Sequence, residues 1–122
     1  CFLADLGKPV ELESLLEPVL QYLTESSDVL CGPKVPKVEV LILHNAGSLG
    51  RLAYTPLLAV ESAAALDLNI TSFVLLTQML LKRFSKQVKL PKSKVRMVFV
   101  NISSLLALQA MPSWSLYATG KA

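Results

Sequence analysis

The chain has 122 residues, 52% of them hydrophobic and only 17% charged, with a net charge of +3. Average globular chains carry roughly 25% charged residues, so a composition this apolar collapses and excludes a disordered polypeptide. The length suits one domain, and two cysteines, Cys1 and Cys31, are too few for a disulfide scaffold.

In chain order, 1–6 is a short apolar run closed by Asp5, Gly7 and Pro9, which predicts the end of a strand. Leu12, Leu15, Leu16, Val19, Leu20 and Leu23 then recur at helical spacing opposite Glu11, Glu13 and Glu17. Pro18 falls inside that pattern and is expected to kink or restart the helix. The segment 31–37, with Gly32, Pro33 and Pro36, predicts a loop. Residues 38–43 form a β-branched apolar run leading directly into His44, Asn45, Ala46 and Gly47, a strand that feeds a turn. A long helix is predicted over about 57–86. It bears one stripe of Ile70, Phe73, Val74, Thr77, Leu81 and Phe84, and a second of Leu75, Leu76, Met79 and Leu80. A helix apolar on two sides packs on a sheet and on a further layer or subunit. After a basic loop, 95–102 is nearly continuous β-former, as in a parallel strand covered on both faces. It ends in Ser103 and Ser104, and a last helix is predicted to start near Trp114. Strands alternating with helices predict an α/β fold with a parallel sheet.

All nine acids lie in 1–67, with four of the twelve bases; the other eight bases lie in 68–122, seven of them between Lys82 and Arg96. Phe84 is the one ring inside that basic block, and nucleic-acid platforms need several, so a solvated helix end is expected and no nucleic acid. The longest uncharged stretch, 97–120, is broken by Asn101, Ser103, Ser104, Gln109 and Pro112, so no membrane span is expected there. There is no basic start, and Asp5 stands where an apolar leader would run, so no signal peptide is expected. Both cysteines are expected as free thiols in a reducing, cytoplasmic setting. His44 has no Cys or His partner at ligand spacing, so it is expected to be a strand-end hydrogen-bonder, and no metal is expected.

Ligands of open α/β sheets bind at the carboxyl ends of the strands. Asp5, residues 45–47 and Ser103 with Ser104 all sit at such ends. Tyr117 and Lys121 are four apart, which puts them on one face of a helix. A phenol ordinarily titrates near 10, and an ammonium held beside one favours the phenolate. Such a tyrosine can give its proton to a carbonyl oxygen that gains charge during hydride attack. Ser104, thirteen residues earlier, could hydrogen-bond the same oxygen.

The succession Asn45-Ala46-Gly47, Asn69, Ser104, Tyr117, Lys121 resembles the short-chain dehydrogenase/reductase family. That resemblance implies a Rossmann-type parallel sheet with flanking helices, present here only in part as its central strands and helices. Over 1–122 it implies a domain without its N-terminal Gly-rich unit and C-terminal strands. It also implies an oxidoreductase whose catalytic set is Ser104, Tyr117, Lys121 and Asn69, with Asn69 supporting a water-mediated proton relay. Asp5 and Leu6 would contact an adenine. Asn45, Ala46 and Gly47 would line the cofactor cleft with backbone, and Tyr117 and Lys121 would hold the nicotinamide end of NADP(H). Ser104, Leu105 and Tyr117 would meet the substrate. The stretches Ser48-Leu49-Gly50, Ala107-Leu108-Gln109 and Trp114-Ser115-Leu116 narrow the likeness to a branch that reduces ketones on pterin side chains, on the route to tetrahydrobiopterin. The family also pairs long helices between subunits, which implies a homodimer through 57–86.

His44 departs from the family, which usually has a second Asn there, and that puts one strand-to-strand hydrogen bond in question. The Gly-rich turn and the residues that select a 2′-phosphate are not found in the 122 residues, so the chain is expected to be an inactive inner piece of a longer enzyme. A related carbonyl reductase with another substrate and a truncated, non-catalytic dimerisation or binding module are the alternatives.

Overall fold

A computed structural model of the chain describes residues 4–30, 38–50, 59–89, 95–109 and 111–122. The loop expected at 31–37, most of the basic loop and both cysteines lie outside those residues. The chain runs from a single 3₁₀ turn, Pro9–Glu11, into helix α1 (Leu12–Leu30), strand β1 (Val38–His44) and helix α2 (Ala59–Leu66). A π-helical turn, Asp67–Thr71, joins α2 to α3 (Ser72–Lys89); β2 (Val95–Asn101), a 3₁₀ turn at Leu105–Ala107 and α4 (Ser115–Lys121) complete it.

β1 and β2 pair in parallel, from Val38 opposite Val95 to His44 opposite Asn101. A parallel pair needs a long crossover, and α2, the π turn and α3 supply it, so the unit is β-α-β. It is an α/β arrangement of the Rossmann type, present in part. Because side chains alternate across a strand, Val40, Ile42 and His44 share one face with Met97 and Phe99. That face packs on α3, where Leu80 and Phe84 join Val95 of β2 and Leu20 of α1 in the core.

α1 follows the predicted pattern: Leu12, Leu16 and Leu20 are buried at i, i+4 and i+8, whereas Leu15 points out and is exposed. Pro18 does not restart the helix, which continues from Leu12 to Leu30. It sits on the solvent side, where water can satisfy the carbonyl left without an N–H partner. The strand end expected at 1–6 is not found in Ala4 and Asp5. The Asp5 carboxylate accepts the Gly7 N–H at 3.0 Å, and its carbonyl accepts the Lys8 N–H at 3.2 Å. That side-chain turn diverts the backbone from pairing.

The two stripes predicted on the long helix divide differently in space. Phe73, Thr77 and Phe84 from the first join Leu76, Met79 and Leu80 from the second on the inner side, while Val74 and Leu81 are 42% and 48% exposed. α1 packs beside this helix on the same face of the sheet, its Leu20 and Leu23 meeting the Leu80–Phe84 cluster. By length and composition, Ala59–Ser85 is apolar enough to cross a bilayer, a stretch that the longest-uncharged-run criterion passes over. Here its Leu80 and Phe84 pack on the sheet and α1, and its Asn69 and Ser72 are buried polar residues. β2 was expected to be covered on both faces. Its own outer-face residues Val98 and Val100 are half-buried, while Leu41 and Leu43 on the same face of β1 are more than half exposed, because the described helices pack on the inner face. Arg96 and Glu39 pair across that outer face at 3.2 Å, and Arg83 of the basic block pairs with Glu17 of α1.

This division predicts unequal costs for two apolar positions of α3. Phe84→Ala, at a fully buried site, should lower unfolding free energy by about 3–5 kcal/mol. Leu81→Ala should stay within about 1 kcal/mol. Chemical denaturation of the two variants checks this, and equal losses would contradict the assigned inner face.

Candidate active site

The carboxyl ends of β1 and β2 open on a cleft of about 350 Å³. The π turn and start of α3 wall one side of it, and the end of α4 closes another. Among the residues predicted for the site, Leu6, Asn45, Ala46, Asn69 and Lys121 line it. Asp5, Gly47, Ser104, Leu105 and Tyr117 do not.

Asn69 organises this end of the molecule. It sits in the π turn, a local widening of the helix that is frequent at functional sites. Ser72 follows it and returns its hydroxyl to the Leu68 carbonyl at 2.8 Å. The Asn69 side chain then bonds the loop after β1 twice: Oδ1 accepts the Ser48 N–H and Nδ2 donates to the Ser48 carbonyl, both at 2.8 Å. Both ends of the amide are thus committed to one backbone residue. Gly47, next to it, leaves room for this approach: a Cβ there would stand 3.2 Å from Asn69 Oδ1 and 3.3 Å from Lys121 Nζ.

α4 is short, at seven residues, and is held by its surroundings rather than by its own propensity. Gly120 lies flat on Asn69, where a Cβ would come within 2.6 Å of the Asn69 Cβ. The Ser103 hydroxyl donates to the Lys121 carbonyl at 2.7 Å, and Lys121 Nζ donates to the Ile102 carbonyl at 2.9 Å. The end of β2 therefore grips the end of α4 from both directions. One turn earlier, Tyr117 packs against Trp114 edge-on, with the Lys121 ammonium 5.9 Å from the phenol ring centroid. Ser104 caps the adjoining 3₁₀ turn by accepting the Leu106 N–H at 3.4 Å, and that turn packs on α4.

His44 is the hydrogen-bonder the sequence suggested, through a partner on another element: Nε2 lies 3.2 Å from the Thr77 hydroxyl of α3. The Ile102 N–H donates to the His44 carbonyl at 3.1 Å, a main-chain bond that any residue at 44 would accept. The ring packs edge-on to Phe73 and parallel to Phe99, and burial lowers its pKa from 6.5.

The residue reading did not single out Ser48, Thr77 or Gly120 for these contacts. A glycine directly before the lysine of a Tyr-x-x-x-Lys helix was the available signal for a close helix contact. Ser48 engages only through its backbone N–H and carbonyl in the Asn69 clamp, which its residue type does not advertise.

The cleft offers hydrogen-bond donors of the kind a nicotinamide dinucleotide requires. An ammonium has three donors, and one is used on the Ile102 carbonyl. The cleft also presents Asn45, Asn101 and Thr119, and no Asp or Glu among the described residues lines it. Polyhydroxy and anionic groups, such as the riboses and phosphates of a dinucleotide, suit the donors of such a lining.

Residues 29–122 match the family described as short chain dehydrogenase, and the chain belongs to that family of oxidoreductases. Its members generally use NAD(H) or NADP(H). The chain is similar to sepiapterin reductases: it is 35% identical to that of Meriones unguiculatus and 34% identical to that of Rattus norvegicus, each over 98% of its length. It is 38% identical over 69% of its length to the sepiapterin reductase of Xenopus tropicalis. It covers 41% of each of the first two relatives and 31% of the third, so it spans less than half of the proteins it matches.

The contact between Gly120 and Asn69 carries a direct prediction. In an ordinary helix Gly→Ala stabilises by about 1 kcal/mol. Here Gly120→Ala should destabilise by about 1–3 kcal/mol through overpacking, read as a lower denaturation midpoint.

Proposed function

We propose that these residues belong to an NADP(H)-dependent carbonyl reductase of the sepiapterin reductase type, acting on ketones of pterin side chains in tetrahydrobiopterin synthesis. The observation that carries the reading is the delivery of the Lys121 ammonium to the strand-end cleft beside Gly47 and Asn69, with Tyr117 one helical turn away. Lys121 would hold the ribose hydroxyls, the 45–47 backbone would border the cofactor, and Asp5 and Leu6 would meet the adenine.

When bound, the reduced nicotinamide supplies a hydride to the carbonyl carbon. The chain's own part concerns the carbonyl oxygen, on which negative charge develops. The Ser104 hydroxyl would donate a hydrogen bond to that oxygen, and the Tyr117 phenol would give it a proton, leaving an alcohol. Leu105, 70% exposed beside Ser104, would offer an apolar contact to the substrate. Asn69 takes a supporting part, because its amide is already engaged with Ser48. A homodimer through the long helix around 57–86, in the cytoplasm, belongs to the same reading. It is supported by Val60, Val74 and Leu81, apolar residues left exposed on the described part of that helix.

In the full-length protein, Tyr117→Phe should leave NADPH affinity nearly unchanged and lower turnover by ~10²–10⁴, the usual worth of general acid catalysis. Wild-type turnover in that variant would remove Tyr117 from the role. Comparing sepiapterin with small diketones tests the substrate. Faster turnover of the diketones would point to a sibling carbonyl reductase, and no turnover of either to a non-catalytic binding module.

A further inference from the structure

α4 leaves from a turn that is costly for the residue at its corner. Met111, Pro112, Ser113 and Trp114 form that turn, closed by the Trp114 N–H donating to the Met111 carbonyl at 3.3 Å. Ser113 has a φ of 72°, and among the described residues no other non-glycine residue has a positive φ. Proline at the second position and a positive φ at the third mark a type II turn, in which glycine or asparagine usually takes the third place. With serine there, the Cβ crowds the following carbonyl. The Ser113 hydroxyl oxygen is also buried without a hydrogen-bond partner among the described residues, a second cost at the same point. A backbone held this way persists only where its surroundings dictate it. Here they are the proline ring, which fixes the preceding φ, and the bond that closes the turn.

The two ends of α4 are held by different means. At the far end the Ser103 hydroxyl takes hold of the Lys121 carbonyl, the Lys121 ammonium reaches the Ile102 carbonyl, and Gly120 lies on Asn69. At the near end no side chain caps the helix at Trp114, whose carbonyl accepts the Ala118 N–H at 2.8 Å. Tyr117 stands in that first turn, four residues after Ser113. We propose that Ser113 is a positioning residue for Tyr117. Its left-handed backbone sets the direction in which α4 leaves the turn, and with it where the phenol points, whereas Lys121 is placed by the end of β2. The inference rests on the acid role given to Tyr117 above. Glycine holds a φ near 72° without cost, but a side chain branched at Cβ is an outlier there. A branched residue at 113 would therefore reopen the turn and swing the near end of α4 about its anchored far end.

The test compares the full-length wild type with Ser113→Gly, Ser113→Val and Ser113→Thr by sepiapterin turnover, NADPH dissociation constant, Tm and crystal structure. Ser113→Gly removes both costs and keeps the turn, so it should raise Tm and leave kcat and NADPH affinity as in wild type. Ser113→Val should lower kcat by about 10²-fold, the cost of misplacing a reacting group by about 1 Å, with NADPH affinity unchanged. A merely structural role would lower Tm and leave the kcat of the folded, NADPH-saturated protein intact. Ser113→Thr should show the same split at smaller size, and it decides the matter if Ser113→Val does not fold. Wild-type kcat in the folded branched variants would overturn the proposal. So would equal losses of turnover and NADPH affinity, or a lower Tm in Ser113→Gly. If the wild type itself reduces no carbonyl, the acid role of Tyr117 falls instead, and the crystal structures decide the role of Ser113. A phenol displaced by about 1 Å or more with Lys121 in place would support it, and an unmoved phenol would refute it.

Discussion

The geometry of the strand ends depends on one side chain that satisfies both polar groups of a single backbone residue. The Asn69 amide takes the Ser48 N–H and gives its own N–H to the Ser48 carbonyl, each at 2.8 Å. An exposed loop would otherwise find those partners in water and sample many conformations. A buried amide also cannot be left half-satisfied without cost, so the loop and the π turn fix one another. α4 then has a surface to settle on, because Gly120 lies against the Cβ of the same asparagine. Three elements distant in sequence meet at one residue, and the orientation of Lys121 follows from that meeting.

The energetics divide accordingly along the chain. At the amino ends of the strands the fold is held by apolar burial, with Leu20, Leu80, Phe84 and Val95 in one cluster. At the carboxyl ends the contacts are polar and short-range: Ser103 to the Lys121 carbonyl, Lys121 to the Ile102 carbonyl, and His44 to Thr77. Directional contacts of this kind can hold a reactive group in place, whereas packing alone tolerates small shifts. Open α/β sheets bind their ligands at this polar, carboxyl end of the strands.

Much of this was legible in the residues. The β-branched runs at 38–43 and 95–102 gave both strands, and parallel pairing followed from the long helix between them. The Tyr117 and Lys121 spacing, together with Asn45 to Gly47 and Ser104, pointed to the correct family. Other features depend on three-dimensional context. Pro18 breaks no helix because it faces solvent, and Asp5 ends pairing because its carboxylate finds the Gly7 N–H. Helical periodicity could not divide the long helix correctly, since apolar residues occur around most of α3 and only the contacts with the sheet and α1 select the buried side. Nor could the sequence show that Asn69 spends its amide on Ser48, a contact across 21 residues that uses only backbone atoms of the partner.

The account is tested most directly by hydrogen exchange at the Ser48 amide, in wild type and in Asn69→Ala. With Asn69 present, the Ser48 N–H should exchange far more slowly than an exposed loop amide, and in the variant it should exchange at an open-loop rate. Equal exchange in the two proteins would mean that Asn69 does not hold the loop, and the positioning of Lys121 would need another cause.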